Sequence, residues 1–130
     1  MKSTFSEKNG YKLIFADAQQ KQENQITAVR NFIQQDVDYI VLAPVTETGW
    51  DTVLKEAKDA DIPVIIVDRM VDVSDDSLYT TWIGTDALCE GRKAAEWLNG
   101  FAEAKGIASS DIHIADIEGT IGSTAQIGRT

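Results

Sequence analysis

Short apolar segments alternate with longer amphipathic segments along this chain, and the alternation predicts a βα fold. Strands are expected where β-branched and aromatic residues cluster, at residues 11–16, 39–42, 63–67, 79–83 and 112–117. Helices are expected at residues 22–35, 48–59 and 87–105, and another near Ser123. Strands and helices that alternate at this spacing predict an α/β fold, an open parallel sheet with flanking helices and right-handed crossovers.

The ends of the predicted helices have recognisable signals. Asp86 immediately precedes the helix from Ala87 and is a suitable N-cap. Gly10 follows a helix end at residues 4–9, where a glycine commonly terminates a helix. No strand precedes that first helix end, so we expect the first strand of the fold to be missing. Inside the helix from Ala87, Trp97 is predicted to belong to the core.

Composition narrows the possible functions. The chain has 130 residues, enough for about one domain, and carries a formal net charge of −9. That charge argues against a nucleic-acid partner and against an anionic membrane surface, because both need a basic face. No apolar run is long enough to insert into a membrane. There is no metal-ligand spacing and no nucleophile–base pair, and the one histidine, His113, has no partner nearby, so neither an enzyme nor a cofactor is predicted.

Asp68 and Arg69 are the main candidate site. They follow a buried apolar run at residues 62–67, at the carboxyl end of the strand, where open α/β sheets bind their ligands. A carboxylate beside a rigid guanidinium suits the hydroxyl groups of a sugar or another polar molecule, although a solvated turn would also explain the pair. Acidic, hydroxyl and glycine residues also follow the other predicted strands, and together these strand ends favour a shared ligand cleft.

Several segments resemble the sugar-binding proteins of bacterial ABC importers. The likeness is carried by residues 16–25 (ADAQQKQENQ), 42–50 (LAPVTETGW), 62–69 (IPVIIVDR), 72–73, 77–79 and 90–92. Within the type I periplasmic binding proteins of the ribose and galactose family, the chain is most similar to the galactofuranose-binding group. The likeness extends over essentially the whole chain, and the Asp-Arg pair combined with the Gln-rich loop is its most specific part.

The resemblance implies a two-lobed periplasmic binding fold that holds a monosaccharide between its lobes. Residues 1–85 would form the first lobe without its first strand, and residues 86–130 would begin the second. Asp17, Asp68, Arg69 and Arg129 would contact the sugar. The whole protein would be a periplasmic or otherwise extracytoplasmic monomer that delivers sugar to the permease subunits of an ABC importer.

The sequence leaves two other interpretations. The sensor core of a lac-repressor-family transcription regulator shares the same fold, and a helix-turn-helix segment upstream would distinguish it from an importer protein. A small standalone α/β enzyme would need a catalytic constellation, which the sequence lacks. Ala43 stands where ribose-type binders carry an asparagine, which makes ribose a less suitable ligand.

Overall fold

The described part of the chain contains three parallel strands and four α-helices, together with three short 3-10 turns. The computed structural model describes residues 3–117 and 119–129, with only the backbone of Arg129. The order is α1 (Gln22–Gln34), β1 (Ile40–Leu42), α2 (Asp51–Asp59), β2 (Val64–Asp68), β3 (Thr81–Gly84), α3 (Ala87–Lys105) and α4 (Thr124–Arg129). Within those residues, no helix combines the length and the apolar character needed to cross a bilayer.

The sheet confirms the predicted α/β class. Its strand order is β1-β2-β3, and both neighbouring pairs are parallel. The register pairs Leu42 with Ile66 and Asp68 with Gly84, so the carboxyl ends of β2 and β3 lie side by side. Parallel strands need crossover connections, and α2 provides the one between β1 and β2.

The core lies between the sheet and the first two helices. Buried residues of β1 and β2 alternate with exposed or half-buried ones, and the buried set packs against α1 and α2. Trp50 and Leu54 are completely buried, and the indole N–H of Trp50 donates to Thr46 O at 2.8 Å. The buried N–H is thus satisfied, and the large ring fixes the start of α2 against the sheet edge.

The ends of the helices follow their local signals. Asp86 caps α3 by accepting the N–H of Cys89 at 2.9 Å, as predicted, and Gly106 ends the helix in the left-handed conformation. Gly10 also adopts the predicted left-handed conformation, but the helix before it is only a 3-10 turn, Glu7–Asn9. Helix α2 begins at Asp51, later than predicted, because residues 46–49 form the loop that Trp50 anchors.

Two predicted strands are not formed in the structure. Residues 11–16 have the alternating pattern of a strand, but in the described part of the chain they do not join the sheet, and Tyr11 and Phe15 are 52% and 60% exposed. Residues 112–117 likewise form no strand in the part of the chain that the structure describes, and Ile117 is 94% exposed. The physical reason is that a strand is stabilised by backbone bonds to an adjacent strand, and the described residues place none beside either segment.

The prediction for Trp97 was also wrong. Its side chain is 68% exposed and stacks on Phe101, with ring centroids 5.3 Å apart, rather than entering the core. Only Ala87 and Ala102 of α3 are buried, because α3 packs mainly on the short helix α4 and not on the sheet. An apolar face at helical spacing identifies a helix but does not identify what covers it.

Asp51 is expected to make folding stability depend on pH. Its carboxylate accepts the hydroxyl and the N–H of Ser74 at 2.6 and 2.8 Å, and these bonds hold the pKa of Asp51 below its usual 3.8. A lowered pKa in the folded state contributes stability that is fully present above the usual value and is lost as pH falls through the lower one. The urea midpoint of Asp51→Ala should therefore lie below that of the wild type near neutral pH, and the gap should narrow below pH 3.8.

Asp59→Ala is the matched control for that prediction. Asp59 lies at the other end of α2 and pairs with the exposed ammonium of Lys55 at 2.7 Å. Exposed pairs of this kind add little to stability, so the control should change the midpoint little at any pH. A gap between Asp51→Ala and wild type that stays constant down to strongly acidic pH would contradict the role given to the carboxylate.

Candidate functional site

Asp68 and Arg69 lie at the carboxyl end of the central strand. β2 ends at Asp68, whose backbone is left-handed with φ +68°. Such a conformation is unfavourable for a residue with a side chain, although aspartate tolerates it better than most, and it is found preferentially at functional positions. The turn at Asp68 brings Arg69 towards the loop after β1, where its Nη1 donates to Val45 O at 3.0 Å.

A cavity of about 100 Å³ opens beside this pair. Asp68 and Arg69 form one wall, at the end of β2. The rest of its lining comes from the residue before Asp86, from the first turn of α3 and from the start of α4: Thr85, Ala87, Glu90, Thr124 and Ala125. The cavity is smaller than the roughly 300–1,000 Å³ of ordinary ligand pockets, so a bound molecule would extend beyond it or require the walls to separate.

The start of α4 is fastened to the loop after Arg69. The Thr124 hydroxyl accepts the N–H of Met70 at 2.9 Å and donates to Met70 O at 3.2 Å. Nearby, the N–H of Glu47 donates to Gly122 O at 2.9 Å. Because 54 residues separate Met70 from Thr124, these bonds join parts of the chain that the sequence places far apart. They hold the two walls of the cavity together.

Trp82 lies beside the cavity wall formed by Asp68. Its indole N–H donates to Asp68 O at 3.3 Å, and the ring is half-buried against the core. Its main contact with the candidate site is thus to the backbone of Asp68. The position also makes the indole a natural fluorescence reporter for any molecule that binds at the end of β2.

The side chains of this cavity suit a neutral, polyhydroxylated ligand. The carboxylate of Asp68 accepts hydrogen bonds, and the guanidinium of Arg69 has five N–H donors, of which the bond to Val45 O uses one. Glu90 provides a second carboxylate, and Thr85 and Thr124 carry hydroxyl groups. Each sugar hydroxyl both donates and accepts, so a wall with acceptors and donors side by side can satisfy it.

Of the four residues predicted to contact the ligand, the structure places two at the cavity. Asp68 and Arg69 line the same cavity. Asp17 is exposed, accepts the N–H of Gln19 at 2.9 Å, and is not part of that cavity wall. Helix α4 ends at Arg129, but the side chain of Arg129 lies outside the described residues. Contacts of Asp17 and Arg129 with a ligand therefore stay predictions.

Sequence reasoning did not single out Glu90 or Thr124 as site residues. Glu90 follows the N-cap Asp86 by one turn, which predicts a favourable charge near a helix start and nothing more. Thr124 begins a helix after a glycine-rich turn, an ordinary position for a hydroxyl residue. Glu90 could have been identified from the resemblance of residues 90–92 to importer proteins, because it lies inside that matching segment.

The family model and the sequence relatives that match this chain both come from binding proteins. Residues 1–130 match the model of the periplasmic binding protein domain. The galactofuranose-binding protein YtfQ of Escherichia coli (strain K12) is 48% identical over 124 residues, which are 95% of this chain and 37% of the relative. The chain therefore spans well under half the length of that relative.

Solved structures agree with the sequence relatives. The periplasmic binding component of the arabinose ABC transporter from Shewanella sp. ANA-3, bound to α- and β-L-arabinofuranose, superposes with a TM-score of 0.82 at 54% identity. That match covers 98% of this chain and 40% of the other. A Mycobacterium smegmatis protein in complex with β-D-fucofuranose gives a TM-score of 0.85 at 46% identity, over 98% and 41% of the two chains. This chain belongs to the periplasmic binding protein domain family.

Proposed function

We propose that this chain supplies part of the binding site for a monosaccharide in its furanose form, in a solute-binding protein of an ABC importer. The observation that carries the proposal is the meeting of Asp68 and Arg69 with Glu90 and Thr124 around one cavity at the carboxyl ends of parallel strands. Open α/β sheets bind their ligands at these strand ends.

The choice of a furanose rests on the relatives. The proteins that are 54% and 46% identical to this chain were solved with arabinofuranose and fucofuranose, and the 48% identical relative is named for galactofuranose. At such identities the binding wall is expected to keep its chemistry. The chain carries Asp68 and Arg69 as adjacent acceptor and donor, the pairing that ring hydroxyls require.

The proposal divides the chain into two parts. Residues 1–85 would form the first lobe, which contributes Asp68 and Arg69, and residues 86–130 would begin the second, which contributes Glu90 and Thr124. The bonds between Thr124 and Met70 would then join the lobes in a closed arrangement. Asp17 and Arg129 would add further ligand contacts, as the resemblance implies.

The role of the whole protein follows from the same proposal. It would work outside the cytoplasm as a monomer and pass its sugar to the permease subunits of an ABC importer. It would bind its ligand without chemical change, so no catalytic group is assigned. The names of the relatives describe import and periplasmic binding, which favours this role over a lac-repressor-type regulator.

The proposal is tested by titrating the full-length protein with ring-locked sugars. Anhydro-arabinitols fixed in the furanose or the pyranose ring are compared by calorimetry and by intrinsic tryptophan fluorescence, to which Trp82 contributes. We expect the furanose-locked compound to bind in the micromolar range or more tightly, at about −8 kcal/mol or below, and the pyranose-locked one far more weakly. Preference for the pyranose ring would contradict the furanose assignment, and the absence of binding by any sugar would contradict the function.

A further inference from the structure

Gln25 makes a pair of hydrogen bonds that resembles β-strand pairing at the end of β1. Its side-chain Nε2 donates to Ala43 O at 2.6 Å, and its Oε1 accepts the N–H of Val45 at 2.9 Å. In a parallel ladder, one residue of a neighbouring strand makes these same two bonds, to the residues before and after the one opposite it. The carboxamide of Gln25 thus takes the place of one strand residue opposite Pro44.

Val45 connects this carboxamide to the candidate site. Its N–H is held by Gln25, and its carbonyl oxygen accepts Nη1 of Arg69 at 3.0 Å. Val45 is only 8% exposed, so water has little access to replace either bond. A buried backbone group that loses its partner costs free energy, which favours one arrangement of this short chain of contacts. These two bonds link Gln25 on α1, through the loop after β1, to the guanidinium of Arg69.

We propose that Gln25 is a positioning residue that holds the guanidinium of Arg69 ready for ligand through the backbone of Val45. This inference rests on the proposed sugar-binding function. Fixing Nη1 on Val45 O removes freedom from a long, flexible side chain before the ligand arrives. Ordering such a side chain only on binding would weaken affinity, so anchoring it beforehand strengthens binding without adding a ligand contact.

Gln22 is a matched control on the same helix. It lies one turn before Gln25, is half-buried like it, and its Nε2 also donates to a loop carbonyl, Thr48 O at 2.6 Å. That bond fastens α1 to the loop before α2 but does not involve Val45. Methionine replaces either glutamine with an unbranched side chain of similar length that favours helices, so both variants should fold.

The test compares ligand affinity in the full-length protein, with L-arabinose as the probe. Gln25→Met is expected to raise the Kd about fivefold to tenfold, the equivalent of ordering one flexible side chain, whereas Gln22→Met should stay within about twofold. In an Arg69→Ala background, Gln25→Met should cause no further loss, because its effect passes through Arg69. Unchanged affinity in Gln25→Met, equal losses in both glutamine variants, or full additivity with Arg69→Ala would overturn the proposal.

A second measurement does not depend on sugar binding. The guanidinium NMR signals of Arg69, recorded at low temperature in the ligand-free protein, should show restricted rotation in wild type and in Gln22→Met and averaging in Gln25→Met. If the wild type binds no sugar, the proposed function fails, but this spectrum still decides the positioning role. An Arg69 signal that Gln25→Met leaves unchanged would overturn it.

Discussion

Replacing Arg69 with alanine is expected to weaken sugar binding by about a hundredfold or more. Arg69 lines the candidate cavity beside Asp68, and its remaining N–H donors are available for hydroxyl groups. Hydrogen bonds to a charged group contribute roughly 1.5–3 kcal/mol each, so losing two of them is enough for this effect. Calorimetric titration of the full-length variant with L-arabinose measures the change.

The fold should survive the Arg69→Ala change. Arg69 is half-buried at the end of β2, and among the described residues its side chain makes one hydrogen bond, to Val45 O. The thermal transition of the variant is therefore expected to stay cooperative. Affinity retained within a few fold of wild type would contradict the site assignment.

Arg30→Ala is the matched control for that experiment. Arg30 forms a two-bond ion pair with Glu56 at 2.8 Å, between α1 and α2 and away from the cavity. This pairing raises the pKa of Arg30 and lowers that of Glu56, but both side chains are exposed, so the pair adds little to stability. Sugar affinity should be unchanged in this variant, which separates loss of a guanidinium in general from loss of the one at the site.

Gly84→Ala is expected to destabilise the fold by about 3 kcal/mol, the upper part of the range for an added group that overlaps packed atoms. Gly84 pairs with Asp68 at the carboxyl ends of β3 and β2. An added Cβ would overlap the carbonyl oxygen of Asp68 and lie 2.5 Å from the indole nitrogen of Trp82. The backbone oxygen cannot move aside cheaply, so the strands must separate just where Asp68 and Arg69 leave the sheet. Urea denaturation measures the loss, and sugar affinity should fall with it.

Gly100→Ala is expected to have the opposite effect and to increase the stability of the fold. Gly100 lies in α3, and a Cβ placed on it meets no atom within 4 Å. Alanine reduces the entropy that glycine loses in a helix, so this variant should be more stable by roughly 0.5–1 kcal/mol. If Gly84→Ala proved as harmless as Gly100→Ala, the close approach of β3 to the Asp68 carbonyl would be wrong.

The family and the class of fold could be predicted from the sequence because their signals are local. Helix α3 begins and ends where Asp86 and Gly106 cap it, since a helix is held by bonds between residues four apart. The β-branched run that ends at Asp68 predicted both a buried strand and a site at its end, and both residues of the Asp68–Arg69 pair line the cavity. The match to the periplasmic binding protein domain confirms the resemblance that these residues carried.

Other features could be seen only in the tertiary structure, because they depend on contacts between residues that are distant in the sequence. Residues 11–16 have the right pattern for a strand, yet among the described residues they form no part of the sheet, because a strand forms only where another strand lies beside it. Thr124 reaches Met70 across 54 residues, and Gln25 reaches Val45 across 20. No propensity or spacing encodes such contacts. The sequence by itself therefore determined the helices, two residues that line the cavity and the family, whereas the rest of the cavity lining and the support of Arg69 were decided by packing.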